Sequence, residues 1–500
     1  MAFQIPREVE EVAAELRAAG FEAYLVGGCV RDLLLGAAPK DWDVATNARP
    51  EEIERLFPES VYENQFGTVG VKTSSEDPAQ KIIEVTTFRL EGKYTDKRHP
   101  DEVTFAKTIE EDLSRRDFTV NAMALRLESR NSHPESSDEI RDARYEIVDP
   151  FKGQEDLASR IIRTVGDPAA RFNEDALRLM RAVRFSVELD FSIHKDTRRA
   201  IHAHAGLLEA IAKERIRDEF VKILMAPRAA AGIIFLEELN LLRHILPELR
   251  EGLGVTQNKH HVYTVFEHNV RSLDYAAKQN YSLLVRTAAL LHDVGKPKTK
   301  QGDGPDSTFY NHDRVGAKMA GVALDRLRFP REFVEAAAHL VRYHMFYYNV
   351  GEVTDAGVRR FLVRVGPETV PDLIKLREAD RIGSGVPKAV PYKLRHFLFM
   401  IEKVKHDPIS AKMLAVSGED VMRVLGVPPG PRVGAILAVL LEELLDDPSR
   451  NDRERLESRM KELGALSDAE LARLRAHANE TKEEFESGME EEMKKKFHVQ

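Results

Sequence analysis

The stretch that decides the fold runs from Tyr24 to Thr46, YLVGGCVRDLLLGAAPKDWDVAT. It reads as strand, Gly27-Gly28 turn, short helix from near Cys29, then a second strand carrying Asp41 and Asp43. Side chains at i and i+2 of a strand point to one side, so both carboxylates aim into one space. Two close carboxylates repel, and a cation between them relieves the repulsion. Oxygen ligands beside a phosphate site suit Mg²⁺. Gly27 and Gly28 leave room for a phosphate to approach the backbone. The following helix offers it free N–H groups, and Arg31 adds a charged donor. Each piece alone is common. Joined within one short run, they point to metal-assisted transfer of nucleotides.

Outward from this run, residues 1 to about 150 mix helix and strand signals. Further strands are expected in FGTVGVKT, KIIEVTTFR and NAMALRL, rich in Val, Ile, Thr and Phe. Glu84 is a charged residue inside the apolar run KIIEVTTFR. It is either a third inward acid or an outward-facing strand residue. In EEDLSRRDFTVNAMAL, Arg115, Arg116 and Asp117 precede a further element carrying Asn121. This is either a helix start with surface charges or an arginine for a triphosphate with an acid to hold it. The polar segments RLEGKYTDKRHPDEVTF and ESRNSHPESSDEIRD read as loops.

After Asp149-Pro150 the apolar spacing becomes three and four, and from Leu157 almost to the end the chain reads as helical. The expected class is α+β: a mixed-sheet head over 1–150, a helical neck over 151–250, then helical segments over 251–400 and 401–466, and a charged helical tail over 467–500. A chain of 500 residues with 43% hydrophobic and 31% charged residues is globular, with ample core. A single cysteine, Cys29, excludes an internal disulfide framework and fits a reducing, cytoplasmic setting. No apolar run approaches the ~20 residues of a membrane span. The opening MAFQIPREVEEVAAEL is acidic and helical, unlike a secretory signal. A net charge of −9 weighs against a protein coated in nucleic acid but leaves room for a local basic groove.

The chain resembles the class II CCA-adding tRNA nucleotidyltransferases, whose head is shared with bacterial poly(A) polymerases. The resemblance rests on LVGGCVRDLLLG with DWDVAT, DLSRRDFTVNAMA, DPFKGQEDL, IIRTVGDPAARFNEDALRLMRAVRF and AKERIRDEF, spanning about residues 20 to 225. It implies Asp41 and Asp43 as ligands of catalytic Mg²⁺, with Gly28, Arg31 and Arg116 near the nucleotide's phosphates and sugar. It implies CTP and ATP as substrates and the tRNA 3′ end as partner.

FNEDALRLMRAVRF reads as one helix with Asp175 and Arg178 on one face, and Arg181 and Arg184 continuing the stripe. The ordinary reading of such a stripe is a salt-bridged solvent face. Base chemistry offers another. Cytosine and adenine present an amino donor beside a ring-nitrogen acceptor; uracil and guanine present a carbonyl beside an N–H. Aspartate only accepts and arginine only donates, so an Asp–Arg pair complements C and A. In the resembled family this motif is the amino-acid template for the base, which carries Asp175, Arg178, Arg181 and Arg184 over as base readers. A loop between the Glu84 strand and Arg115 serves the A step in that family. Its presence here favours CCA or terminal-A addition over CC addition.

Between 260 and 380 lie His268, the pair His292-Asp293 in AALLHDVGKPKT, His312, His344 and Asp380. A lone buried His is usually a core residue, but His and Asp ligands from helices bind one or two divalent metals. The region resembles the HD phosphohydrolase superfamily, whose ligand order His, His-Asp, distal Asp is matched by His268, His292, Asp293 and Asp380. His312 and His344 are candidates for a second metal, whereas His339 and His260-His261 read as structural. The resemblance implies a transition metal and phosphoester hydrolysis; the alternative is a binding site without activity. Beyond 410, the helical part resembles the family's tRNA-contacting tail. The rival readings are a poly(A) polymerase, an HD phosphohydrolase with a decayed head, and a non-catalytic RNA-binding module.

Overall fold

The structure is a computed structural model that describes residues 3–64, 67–91, 103–127, 145–258, 262–346 and 348–474. The loop over residues 92–102, the polar loop after Leu127, His260-His261 and the tail beyond 474 lie outside the described residues.

Among the described residues the head is built on nine strands: β1 (Ala23–Val26), β2 (Asp43–Thr46), β3 (Ser60–Asn64), β4 (Thr68–Lys72), β5 (Ile82–Thr87), β6 (Arg89–Glu91), β7 (Val103–Phe105), β8 (Ala124–Leu127) and β9 (Tyr145–Val148). Seven of them form one sheet in the order β3-β4-β5-β2-β1-β8-β9, while β6 and β7 make a separate hairpin. The β2–β5 pair is parallel and the other pairs of the sheet are antiparallel, so the sheet is mixed. Along β5, Ile83, Val85 and Thr87 face the core while Ile82 and Glu84 face out, the alternation a half-buried strand requires. The parallel register sets Glu84 directly beside Asp43 on that open face.

The structure corrects one expectation in this region. Strand β2 starts at Asp43, and Asp41 sits in the bend before it. Extended pairing nonetheless begins earlier, because the Trp42 carbonyl accepts from the Glu84 N–H at 3.2 Å. The buried Trp42 indole then leaves its two neighbours facing the other way.

The chain divides into two compact units: residues 1–253 with 277–283 and 322–331, and residues 254–276 with 284–321 and 332–500. In the first unit, helices Arg178–Leu189, Lys213–Met225 and Ala229–Glu238 pack on one another. A parallel pair of two-residue strands, Ile161–Ile162 with Ser192–Ile193, interrupts what reads from sequence as purely helical. The second unit is helical. Helices Val265–Lys278, Leu283–Leu291, His312–Arg326, Arg331–Tyr343 and Val370–Gly383 carry or directly precede His268, His292, His312, His344 and Asp380. Toward its end, Val421, Ile436, Leu440, Met460 and Leu463 form a separate apolar cluster.

Candidate active site and metal centre

The acids and the glycine turn of the head converge. Gly27 has φ 77°, a left-handed conformation that a side chain resists. A Cβ there would stand 2.7 Å from Arg116 Nη1 and 3.5 Å from Asp43 Oδ2. A Cβ on Gly28 would stand 3.8 Å from Asp41 Oδ1 and 3.7 Å from Arg31 Nη2. Both carboxylates and both arginines therefore reach the turn. Burial pushes the Asp43 carboxyl up to about 6; Arg116 opposes this, while Glu84 and Asp41 add to it. An acid crowded by two other acids fits a site for a divalent cation.

The tripeptide Arg115-Arg116-Asp117 ties this turn to the neck. The Arg115 carbonyl accepts from Arg178 Nη2 at 3.0 Å. Arg116 points to Gly27, and Asp117 Oδ2 accepts from Arg181 Nε at 2.6 Å. Asn121 extends the link, donating to Asp117 Oδ1 at 3.4 Å and accepting from Arg31 Nη1 at 2.8 Å. Arg31, Arg181 and Arg184 all lie near the Phe185 ring, at 5.4, 5.2 and 4.3 Å from its centroid. Asp117 is held below the usual carboxylate range: burial opposes its ionisation, and Arg181 and Arg178 overcome that.

The segment expected to read the base, FNEDALRLMRAVRF, differs from its expected form. It is two helices, Pro168–Glu174 and Arg178–Leu189, with Asp175 in extended backbone between them at φ −131°, ψ 107°. Asp175 breaks the helix because its own Oδ1 accepts the Leu177 N–H at 3.0 Å, a local bond that competes with helical pairing. Asp175 and Arg178 do not form the ion pair their spacing invites. Asp175 pairs with Arg215 at 2.8 Å, and Arg178 pairs with Glu174 at 2.5 Å. Arg184 turns away to the buried Glu219, at 2.9 Å. Sequence reasoning missed Arg215 and Glu174. Arg215 lies forty positions from Asp175, with no local signal, whereas Glu174 sits four before Arg178 and is open to a helical-spacing argument.

In the second unit, His268, His292, Asp293, His344 and Asp380 are buried. His268 Nε2 is 2.8 Å from His292 Nε2, 3.2 Å from Asp293 Oδ2 and 3.3 Å from Asp380 Oδ1. Asp293 Oδ1 faces His312 Nε2 at 3.4 Å and His344 Nε2 at 3.6 Å. The sets His268/His292/Asp380 and His292/Asp293/His344 each bring three ligand atoms within 4.8 Å. Among the described residues, the head acids are not drawn into a cluster this tight.

The surroundings orient these ligands. His292, His312 and His344 each donate Nδ1–H to a carbonyl three residues back (Ala289, Phe309 and Val341), which turns Nε2 toward the centre. Gly295 permits the close packing: a Cβ there would lie 2.2 Å from the His312 carbonyl oxygen. Lys296 Nζ is 2.5 Å from Asp293 and Arg377 Nη1 is 2.5 Å from Asp380. Both carboxyls stay well below the usual range: burial opposes their ionisation, and the adjacent cations, Lys296 for Asp293 and Arg377 for Asp380, outweigh it. Burial also disfavours the His292 imidazolium, yet Asp293 and Asp380 hold its pKa up to about 10. Negative charge aimed at imidazole nitrogens is the donor set of a divalent transition-metal site, so the residues fit one. His339 donates to the Val365 carbonyl at 2.7 Å, a packing role.

A mixed sheet with two acids beside a glycine turn, braced against a helical neck, defines a nucleotidyltransferase head. Comparison with known proteins agrees. Family models match residues 23–163 (poly A polymerase head domain), 190–253 (probable RNA and SrmB-binding site of polymerase A) and 265–383 (HD domain). The chain is 38% identical to an A-adding tRNA nucleotidyltransferase of Deinococcus radiodurans over 84% of this chain and 91% of that protein. It is 34% identical to a CCA-adding enzyme of a Geobacillus species over 87% and 92%. The crystal structure of the Bacillus stearothermophilus CCA-adding enzyme in complex with CTP superposes with a TM-score of 0.66 at 30% identity, over 92% of this chain and 98% of that one. The chain belongs to the tRNA nucleotidyltransferase family of CCA-adding and A-adding enzymes, and it carries an HD domain.

Proposed function

We propose that this chain adds CCA, or its terminal A, to the 3′ end of tRNA from CTP and ATP, releasing pyrophosphate. The observation that carries the reading is the Arg115-Arg116-Asp117 tripeptide. It joins the acid-bearing glycine turn to the helix bearing Arg178 and Arg181. Asp41 and Asp43 would hold Mg²⁺, with Glu84 as the neighbouring third acid. That ion would supply charge neutralisation for the triphosphate and activation of the tRNA 3′-hydroxyl. Gly28, Arg31 and Arg116 bind and orient the phosphates and sugar, so that the hydroxyl meets the α-phosphate in line. Asp175 and Arg178 read the amino group and ring nitrogen of C or A, and Arg181 braces the reader. Arg184, tied to Glu219, supports the helix from behind.

Labelled CTP and ATP, supplied separately to tRNAs ending before the first C, the second C or the A, test this. Incorporation of A alone marks an A-adding enzyme. Long A tracts would favour the poly(A) polymerase reading instead.

The labour divides near residues 150, 250 and 400 into head, neck, HD domain and tail. In the HD domain, His268, His292, Asp293 and Asp380 would hold a divalent transition metal, with His312 and His344 completing a second position. Bound there, such a metal would supply an acidified water for phosphoester hydrolysis. No helix among the described residues is long and apolar enough to cross a membrane. With one buried thiol, this fits work in the cytoplasm.

A further inference from the structure

Each carboxylate of the HD centre gives one oxygen to a cation. Asp380 turns Oδ1 toward His268 Nε2 at 3.3 Å and His292 Nε2 at 3.7 Å. Its Oδ2 accepts from Arg377 Nη1 at 2.5 Å. Asp293 Oδ2 holds Lys296 Nζ at 2.5 Å. The two cations are not equally committed. Lys296 also donates to Gln257 Oε1 at 2.7 Å, and Gln257 is itself anchored on the Tyr263 carbonyl at 3.1 Å. Arg377 keeps a donor in reserve: its buried Nε has no hydrogen-bond partner among the described residues. A buried donor without an acceptor is destabilising, and a bound anion satisfies it.

The guanidinium is held in place and within reach of solutes. The Tyr348 side chain is hydrogen-bonded to it, and the Tyr348 and Phe346 ring centroids lie 5.8 and 6.0 Å from its central carbon. The Arg377 side chain is 17% exposed, whereas that of Lys296 is 9% exposed. A planar, permanently charged fork with a spare N–H suits phosphate oxygens. Charge then narrows the ligand. Lys296 and Arg377 cancel Asp293 and Asp380, and ligating imidazoles are neutral. A divalent ion held there leaves two positive charges uncompensated, and a second ion adds to the excess. A phosphomonoester dianion brings two negative charges, a phosphodiester one. Uncompensated charge in a buried site is strongly unfavourable, so the centre suits the dianion.

We infer that Arg377 binds the phosphate oxygens of the HD centre's substrate, and that this substrate is a phosphomonoester. In the reaction water adds to phosphorus and the ester P–O bond breaks. The leaving alkoxide takes one of the water's protons, and inorganic phosphate remains. This rests on the proposed reading of the centre as a metal-dependent phosphohydrolase.

The test uses the full-length chain loaded with Mn²⁺ or Co²⁺, as wild type, Arg377→Gln and Arg377→Lys. Elemental analysis gives bound metal, and calorimetry gives the affinity for inorganic phosphate per loaded centre. Hydrolysis is followed with p-nitrophenyl phosphate and bis(p-nitrophenyl) phosphate. In wild type, kcat/KM for the monoester should exceed that for the diester at least about tenfold. Arg377→Gln should bind phosphate about tenfold or more weakly per loaded centre and raise KM for the monoester by a similar factor. Arg377→Lys, which keeps the charge but lacks the fork, should fall between the two. Wild-type phosphate affinity per loaded centre in Arg377→Gln marks a mere support for Asp380 and overturns the role of Arg377. A diester hydrolysed faster than the monoester overturns the substrate class. Should thermal melting show Arg377→Gln to be unfolded, Arg377→Lys carries the test, and wild-type phosphate affinity in it overturns the role of Arg377. If wild type binds metal and phosphate but hydrolyses neither ester, the phosphohydrolase reading and the substrate class fail, while calorimetry alone decides whether Arg377 receives phosphate.

Discussion

Arg181 Nε donates to Asp117 Oδ2 at 2.6 Å, and with the Arg178 bond to the Arg115 carbonyl it joins the RRD tripeptide of the head to the neck helix. Asp117 is buried and Arg181 about one-third exposed. Asp117→Ala leaves Arg181 without its counter-charge and Asn121 without its acceptor. After discounting for solvent at Arg181, the expected loss is about 2 kcal/mol, read from chemical denaturation. Selection and rate should suffer together, because the head and the helix bearing Arg178 and Arg181 lose a common brace.

Asp41→Ala and Asp43→Ala are expected to lower nucleotide incorporation about a thousandfold or more while phosphoester hydrolysis in the HD domain persists. Primer-extension gels on truncated tRNA, beside a phosphatase assay on the same preparation, check this. Incorporation near the wild-type rate in either variant would remove the acids from the chemistry.

The pH dependence of the head has a definite sign. Without metal, burial raises Asp43 to about 6, above its ordinary value of 3.8. A raised carboxyl binds more protons folded than unfolded, so metal-free protein gains stability from this group as pH falls from about 6 toward 4. Metal binding needs the carboxylate, so below about pH 6 the Mg²⁺ concentration for half-maximal incorporation should rise up to about tenfold per pH unit. Melting in chelator and Mg²⁺ titrations between pH 5 and 8 measure the two effects. In Asp43→Asn the first should vanish.

Gly27→Ala introduces a methyl 2.7 Å from Arg116 Nη1 at a φ of 77°. The backbone strain alone costs about 1 kcal/mol. The displaced guanidinium should lower kcat/KM for CTP and ATP at least about tenfold, while metal content of the HD domain stays unchanged. Steady-state kinetics and elemental analysis separate the two.

His292→Ala removes a nitrogen shared by both candidate ligand triads. It should abolish transition-metal retention and phosphoester hydrolysis and leave CCA or A incorporation within about twofold. Retention of stoichiometric metal would shift the centre to other ligands.

The glycine turn and the Asp-x-Asp run are legible because their physics is local: a left-handed turn, alternating strand faces and a helix start all fall within Tyr24–Thr46. The third acid is not settled by sequence. Glu84 stands beside Asp43 only through the parallel β2–β5 register, a long-range pairing. Strands β3 and β9 leave little trace in the sequence; they are the edge strands at the two ends of the sheet, and their stretches SVYEN and YEIV lack a long apolar run. The helical reading across Asp175 fails because a side-chain bond to Leu177 N–H outcompetes the helix at one residue, which spacing rules do not resolve. In the HD domain the order of ligands is readable. Lys296 and Arg377, each three positions from an aspartate they contact, lie at a spacing that brings side chains together on a helix.

The RRD tripeptide sends three consecutive residues to three different destinations: a carbonyl to one arginine, a guanidinium to the glycine turn and a carboxylate to a second arginine. Backbone length there is consequently fixed to the residue. Inserting or deleting a single amino acid between Arg115 and Asp117 would unhook at least two of these anchorages at once, whatever its chemical nature.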